Sequence, residues 1–367
     1  MDRNSLQTRI PYIDMLRIVA CMMVLLIHAP MYKVSQHTPS VSFATYLLLF
    51  TVSSKLFFML TGALLIPVKL GTKAFLKRRL SVLLLPLAVW SLIYLLEHIF
   101  ILHDFDVRML WSVLFNPVDE TLWFVYVMVG VYLILPIMSR CVEAIGRRGV
   151  EFVLILWILS SLIPYEQGMF LSPKPTHHML SGFANYFGYV LMGYYLHNYP
   201  LPIFTRRHWW KFAAVAFVGI VVIPLFEFLV QPHFGVTYAQ AIDTITHDIS
   251  INDVFLSILT FSAVKHFAPE RYDDGKPHRT GLLITRMAVC SYGIYLGHML
   301  VMRNMVWPFM IAYLPNITHT VVLGVITAVL SFIVTYLVMW ILNITPMSKA
   351  FLGRERYMKA RKEVRND

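Results

Sequence analysis

The sequence predicts an all-α polytopic membrane protein of about ten transmembrane helices, with both termini in the cytoplasm. Three observations predict it. Of the 367 residues 58% are hydrophobic and 14% charged, whereas an ordinary soluble domain carries about 25% charge. Ten apolar segments run approximately over 11–30, 42–66, 80–102, 122–138, 151–170, 180–197, 210–230, 249–266, 287–312 and 319–343, most of them near the ~20 residues that a ~30 Å hydrocarbon core demands. The connections between them alternate in charge: one set holds 25 of the 31 Lys and Arg, the other only four. That is the positive-inside pattern, and adding or losing one helix would scramble it.

The net charge of +11 is spread in short clusters between apolar runs. Membrane orientation explains it, and no nucleic-acid partner is expected. Cys21, Cys141 and Cys290 lie within or beside apolar runs, a pattern that suggests neither a disulfide framework nor a zinc or other metal site. The first apolar run holds Asp14 and Arg17 and is not followed by a small-residue cleavage site, so it is not read as a cleaved signal peptide. Residues 1–343 are read as one transmembrane domain and 344–367 as a basic cytoplasmic tail. No appended soluble domain is expected, and any chemistry falls to the membrane core and its short loops.

Segment one organises the rest. Arg17 and His28 are eleven residues apart, which on a helix brings them within roughly 20° of one face and ~16 Å apart along the axis. Asp14 precedes Arg17 by one turn, and Cys21 and Val24 continue the stripe. Charged groups inside hydrocarbon are costly and normally face a protein interior or a wet cavity. Histidine titrates near neutral pH and can take a hydroxyl proton. Arginine cannot serve as a base but can hold a phosphate or polarise a carbonyl; an ion pair with Asp14 is compatible with either task.

Further along, Lys55 sits mid-segment in FTVSSKLFFMLTG, too deep to snorkel. It is either an oxyanion or carbonyl contact or half of a structural ion pair. Glu97 and Glu227, toward the ends of segments three and seven, are candidates to partner Lys55 or orient His28, or are simply solvated at the interface. Arg78 and Arg79, Arg147 and Arg148, and Arg286 mark the inner face and would suit the phosphates of a cytosolic donor. Trp123, Tyr292 and Tyr295 are belt or packing aromatics or substrate contacts. His298 lies three residues after Tyr295, on the same face.

Six patches in order resemble the membrane-bound acyltransferase family 3. Arg17-(ten residues)-His28 matches its R-x10-H signature. FFMLTGALL at 57–65 is similar to its FF-x-x-SG stretch, with Thr61 in the serine slot, and FLKRRLSVLLLP at 75–86 to its basic-then-proline helix. LWFVYVMVGVYLILP at 122–136, YFGYVLMGYYL at 186–196 and CSYGIYLGH at 290–298 complete the series. Two positions depart from the pattern. Val82 stands where many members carry a second arginine after the one aligned with Arg79, and Gly297 replaces a large apolar residue before His298.

The resemblance implies a standalone O-acetyltransferase of the bacterial inner membrane. Acetyl-CoA would be the co-substrate, and the acceptor a sugar hydroxyl of an envelope polysaccharide, exopolysaccharide or lipid-linked sugar. On that reading His28 is the general base, Lys55 and Tyr292 are the oxyanion donors, and the inner arginines hold the CoA phosphates. Polysaccharide synthesis or export machinery and a second copy of the chain stay open as protein partners. A transporter or flippase of glycans is the competing reading; it would be expected to show internal repeats or paired broken helices, and none is clear. A purely structural subunit would have no need of Arg17, Lys55 and His28 within the membrane.

Overall fold

The computed structural model describes residues 9–31, 46–47, 49–169, 185–199, 250–269, 279–315 and 319–353, with isolated residues at 210–211, 214 and 218. Every regular element among them is a helix. In chain order these are α1 Pro11–His28, α2 Ser53–Leu65, α3 Thr72–Glu97, α4 Arg108–Ser112, α5 Trp123–Met169 and α6 Phe187–Asn198. Beyond these come α7 Ile251–Phe267, α8 Arg279–Val301, α9 Trp307–Tyr313, α10 Thr320–Ile344 and α11 Ser348–Leu352. Four stretches among the described residues are long and apolar enough to cross a membrane: Pro11–His28, Thr72–Leu102, Glu120–Ser161 and Thr320–Ile344. Segment seven, with Glu227, lies almost wholly outside the described residues.

Local chemistry sets several boundaries. Pro11 opens α1, where a missing N–H costs nothing and φ is already helical. Ser250 caps α7 by accepting from the Asp253 N–H at 3.2 Å. The connection at 139–149 is helical rather than a loop: SRCVEAI continues α5, which breaks at Gly146, in the left-handed region at φ 64°. Only glycine takes that conformation without a Cβ penalty. The basic cluster at 77–79, which precedes the third apolar segment, is helical as well and lies on the first turns of α3.

The chain divides into two compact units. The first comprises Met1–Pro67, Arg140–Thr285 and Ile317–Val325; the second comprises Val68–Ser139, Arg286–Asn316 and Ile326–Asp367. In the first, α2 and α6 approach backbone to backbone. A Cβ on Gly62 would lie 1.7 Å from the Val190 carbonyl oxygen, and one on Gly193 would lie 1.9 Å from that of Met59. Apolar side chains gain little by leaving lipid for one another, so membrane helices associate where small residues permit this contact. The glycines of the FFMLTG and YVLMGYYL patches thus serve packing. Lys265 of α7 closes α6 by donating to the carbonyls of Leu196 (2.7 Å) and His197 (2.8 Å).

In the second unit Trp90 of α3 is the packing centre. Its Nε1–H donates to the Phe351 carbonyl at 3.1 Å, and a Cβ on Gly297 would lie 2.4 Å from its ring. The missing side chain at 297 is therefore replaced by the Trp90 indole. Helix α11 falls within the stretch expected to be a tail, yet Ser348 and Leu352 are buried. Gly353, beyond it, packs on the Val82 carbonyl: a Cβ there would be 2.3 Å away.

Candidate functional site

Helix α1 carries Asp14, Arg17 and His28 in the first unit. On a regular helix Asp14, Arg17, Cys21, Val24, Leu25 and His28 span roughly 100° of one face. Asp14, Cys21, Val24 and Leu25 are buried. Arg17 and His28 are only half-buried, and the Arg17 side chain keeps 32% of its surface exposed. A face that packs against protein therefore stays open at its two cationic or ionisable residues. Asp14 anchors this end. Its carboxylate accepts from Arg9 Nη1 at 2.8 and 2.9 Å and from Thr285 Oγ1 at 3.4 Å, and it faces Arg17 Nη1 at 3.5 Å. An acid in the first turn also favours the positive end of the helix dipole. A guanidinium has five donors in a fixed fork, so one partner does not exhaust it.

Lys55 of α2 stands in a different environment. Its Nζ lies 3.0 Å from Asp253 Oδ2, with side chains 2% and 0% exposed, and it donates to the Thr51 carbonyl at 3.0 Å. Thr51 Oγ1 in turn donates to Asp253 Oδ1 at 2.5 Å. The cluster is sealed and the lysine charge is paired inside it, without which a buried charge is strongly destabilising. The acid beside Lys55 is thus Asp253, not Glu97. The sequence signal for it was Ser250-Ile-Asn-Asp253, a helix-start pattern that placed an acid in the first turn of a weakly apolar segment.

Glu97, Tyr292, Tyr295, His298 and Trp123 belong to the second unit. Glu97 is bound by Arg303 Nη1 at 3.1 Å and Asn304 Nδ2 at 2.6 Å. Arg303 Nη2 reaches Asp119 at 2.7 Å, and Asp119 also accepts from the Thr121 N–H at 3.0 Å. Burial raises the Asp119 carboxyl, but the hydrogen bonds from Thr121 and Arg303 outweigh it and hold the group below its ordinary value. Tyr295 donates its hydroxyl to the Thr121 carbonyl, and His298 Nδ1 contacts the Tyr295 carbonyl at 2.6 Å. Tyr292 donates to the Leu83 carbonyl at 2.9 Å, which engages its single hydroxyl donor. Trp123 is half-buried.

Among the arginines assigned to phosphate, Arg78, Arg148 and Arg286 are exposed. Arg147 pairs with Glu151 at 2.8 Å and lies over the Tyr199 ring at 4.9 Å. Arg79 is half-buried, and its Nε is fully enclosed without a hydrogen-bond partner among the described residues. Such a donor is costly unless something pairs with it. A cavity of about 390 Å³ in the second unit is lined by Ile93, Leu96, Phe100 and Leu300, with Glu97 and Asn304 as its polar wall. No group of three His, Cys, Asp or Glu among the described residues stands ready for a metal.

Residues 10–341 match a family described as an acyltransferase domain, acyltransferase family 3. The chain belongs to that family. No curated relative and no solved structure matches it. The match spans the first helix, with Arg17 and His28, through nearly all of α10. This acyltransferase-3 chain is a membrane acyltransferase.

Proposed function

We propose that this protein is an integral O-acetyltransferase of the bacterial inner membrane. It would move an acetyl group from cytosolic acetyl-CoA to a sugar hydroxyl of an envelope or extracellular polysaccharide, or of its lipid-linked precursor. The observation that carries the reading is the α1 face, on which Arg17 and His28 stay open between buried neighbours. The charge alternation of the sequence supports ten spans with cytoplasmic termini, and with them arginine clusters on the side where CoA is made. The enclosed Nε of Arg79 suits a phosphate oxygen, which would supply the missing acceptor.

In this mechanism His28 removes the proton of the sugar hydroxyl as the oxygen attacks the thioester carbonyl carbon. The C–S bond then breaks, the acetyl group stays on the sugar oxygen, and the proton held by His28 neutralises the departing CoA thiolate. The oxyanion formed between the two steps needs a fixed donor in a low-dielectric setting. Arg17, ~16 Å along α1 from His28 and beside Asp14 at 3.5 Å, is too far from the reacting carbon for that work and suits the CoA arm on its way to His28.

The test is transfer of label from acetyl-CoA to an oligosaccharide by protein in lipid vesicles. His28→Ala is expected to lower transfer by about 10²–10⁴-fold while the protein still purifies as a folded species. Full transfer by that variant would remove the proposed base, and mass spectrometry of surface glycans with and without the protein identifies the acceptor and the added group.

A further inference from the structure

The membrane-length stretch Thr72–Leu102 ends in a π-turn, His98–Leu102. The chain then reverses at His103, which adopts the left-handed conformation at φ 55°. His98 Nδ1 and the Asp104 carboxylate meet at 2.7 Å across the turn, and Asp106 accepts from the Arg108 N–H at 2.8 Å to start α4. Both acids are therefore used locally, in holding the turn.

The segment around α4 has its apolar side outward. At about 100° per residue Val107, Leu110, Trp111, Leu114 and Phe115 fall within roughly 140° of one face. All five are exposed, Trp111 at 75% and Phe115 at 81%. The opposite side is turned to the protein: Met109, Ser112 and Val113 are half-buried, and the Tyr126 hydroxyl of α5 donates to the Val113 carbonyl at 2.6 Å. A water-facing helix would show the reverse polarity. An exposed apolar face of this extent marks an interaction surface.

We infer that residues 98–115 form an interfacial element, in which α4 lies along the membrane surface with Val107, Leu110, Trp111, Leu114 and Phe115 embedded in lipid. The bilayer is the occupant because the face continues the lipid-length surface of α3. Leu92, Leu96, Phe100 and Ile101 are exposed along the same stretch, and Phe100 and Ile101 also rim the 390 Å³ cavity. Tryptophan and phenylalanine favour the headgroup boundary, and Arg108, exposed at the flank, can extend its guanidinium to lipid phosphate.

Nitroxide labels test this in the full-length protein in phospholipid nanodiscs. The exposed Cys141 is replaced by Ser, and a single cysteine is introduced by Trp111→Cys, Leu114→Cys, Phe115→Cys or Asn116→Cys. Asn116, a polar residue just past the segment, is exposed and serves as the water-accessible reference. Labels at 111, 114 and 115 should collide with oxygen rather than with a water-soluble nickel chelate, giving an oxygen-to-nickel ratio several-fold above that at 116. Nickel access at 111, 114 and 115 equal to that at 116 would overturn the inference in favour of a solvated loop. Protection from both reagents would overturn it in favour of a protein partner or a second copy. Four sites keep the test readable if one variant fails to fold.

Discussion

Two charged groups of the first unit sit in neighbouring helices and live by opposite rules. Lys55 is closed in with Asp253 and Thr51, all nearly without exposed surface. Arg17 faces an equally buried acid, Asp14, yet keeps a third of its own side chain open, and His28 further up the helix is likewise half-open. In hydrocarbon surroundings a cation is expensive in either case. The difference lies in how each is held: Lys55 by a carboxylate within a sealed cluster, Arg17 by a longer contact of 3.5 Å with its side chain still partly exposed. Depth in the membrane alone does not mark a catalytic charge. Remaining accessibility on a packed face is what separates Arg17 and His28 from Lys55, and Arg303 of the second unit, bound by both Glu97 and Asp119, lies between them at 23% exposed.

The largest effect separating the two groups should come from His28→Ala, which removes the proton acceptor. Transfer should fall by about 10²–10⁴-fold with unchanged thermal stability; equal activity would erase the distinction between open and sealed. Next, Asp253→Ala leaves Lys55 buried without its carboxylate and should destabilise the fold by about 3–5 kcal/mol, read as a lowered melting temperature. The double replacement Lys55→Met, Asp253→Leu should recover most of it. If Asp253→Ala instead melts like wild type while losing transfer, Lys55 belongs with the catalytic residues after all.

A smaller change is expected from Arg17→Lys. It keeps the charge but loses the planar fork, and should weaken turnover by roughly tenfold, the equivalent of about 1.4 kcal/mol. Unaltered kinetics would return Arg17 to a structural role. The smallest effect concerns Asp119. Its folded carboxyl titrates below its unfolded value, so its stabilisation is complete above the ordinary Asp range near about 3.9 and is lost as pH falls through the folded value. Melting measured from about pH 6 down to about pH 3 should therefore show a shallower acid decline for Asp119→Asn than for wild type, and identical declines would remove Asp119 from the account.

Much of the chain is legible in advance because single residues announce themselves. Pro11 marks the start of α1, the eleven-residue interval from Arg17 to His28 needs only helical geometry, and Gly62 and Gly193 sit in patches that resemble the family. Partners across space are harder. Glu97 looks like a mate for Lys55 because both interrupt apolar segments, but pairing depends on which helices adjoin, and α7 brings Asp253 there instead. Ser348–Leu352 looks like tail because its neighbours are basic, while its buried Leu352 and the bond from Trp90 to Phe351 tie it to α3.

By itself, the sequence determined the membrane class, the helical makeup and the common face of Asp14, Arg17 and His28. These come from hydrophobicity and from a fixed rise and turn per residue, which act along the chain. Only the tertiary structure decided that Lys55 is sealed while Arg17 and His28 stay open, and that the apolar side of α4 faces outward. Exposure is a property of what packs nearby, and nothing in a residue's own neighbourhood along the chain encodes it.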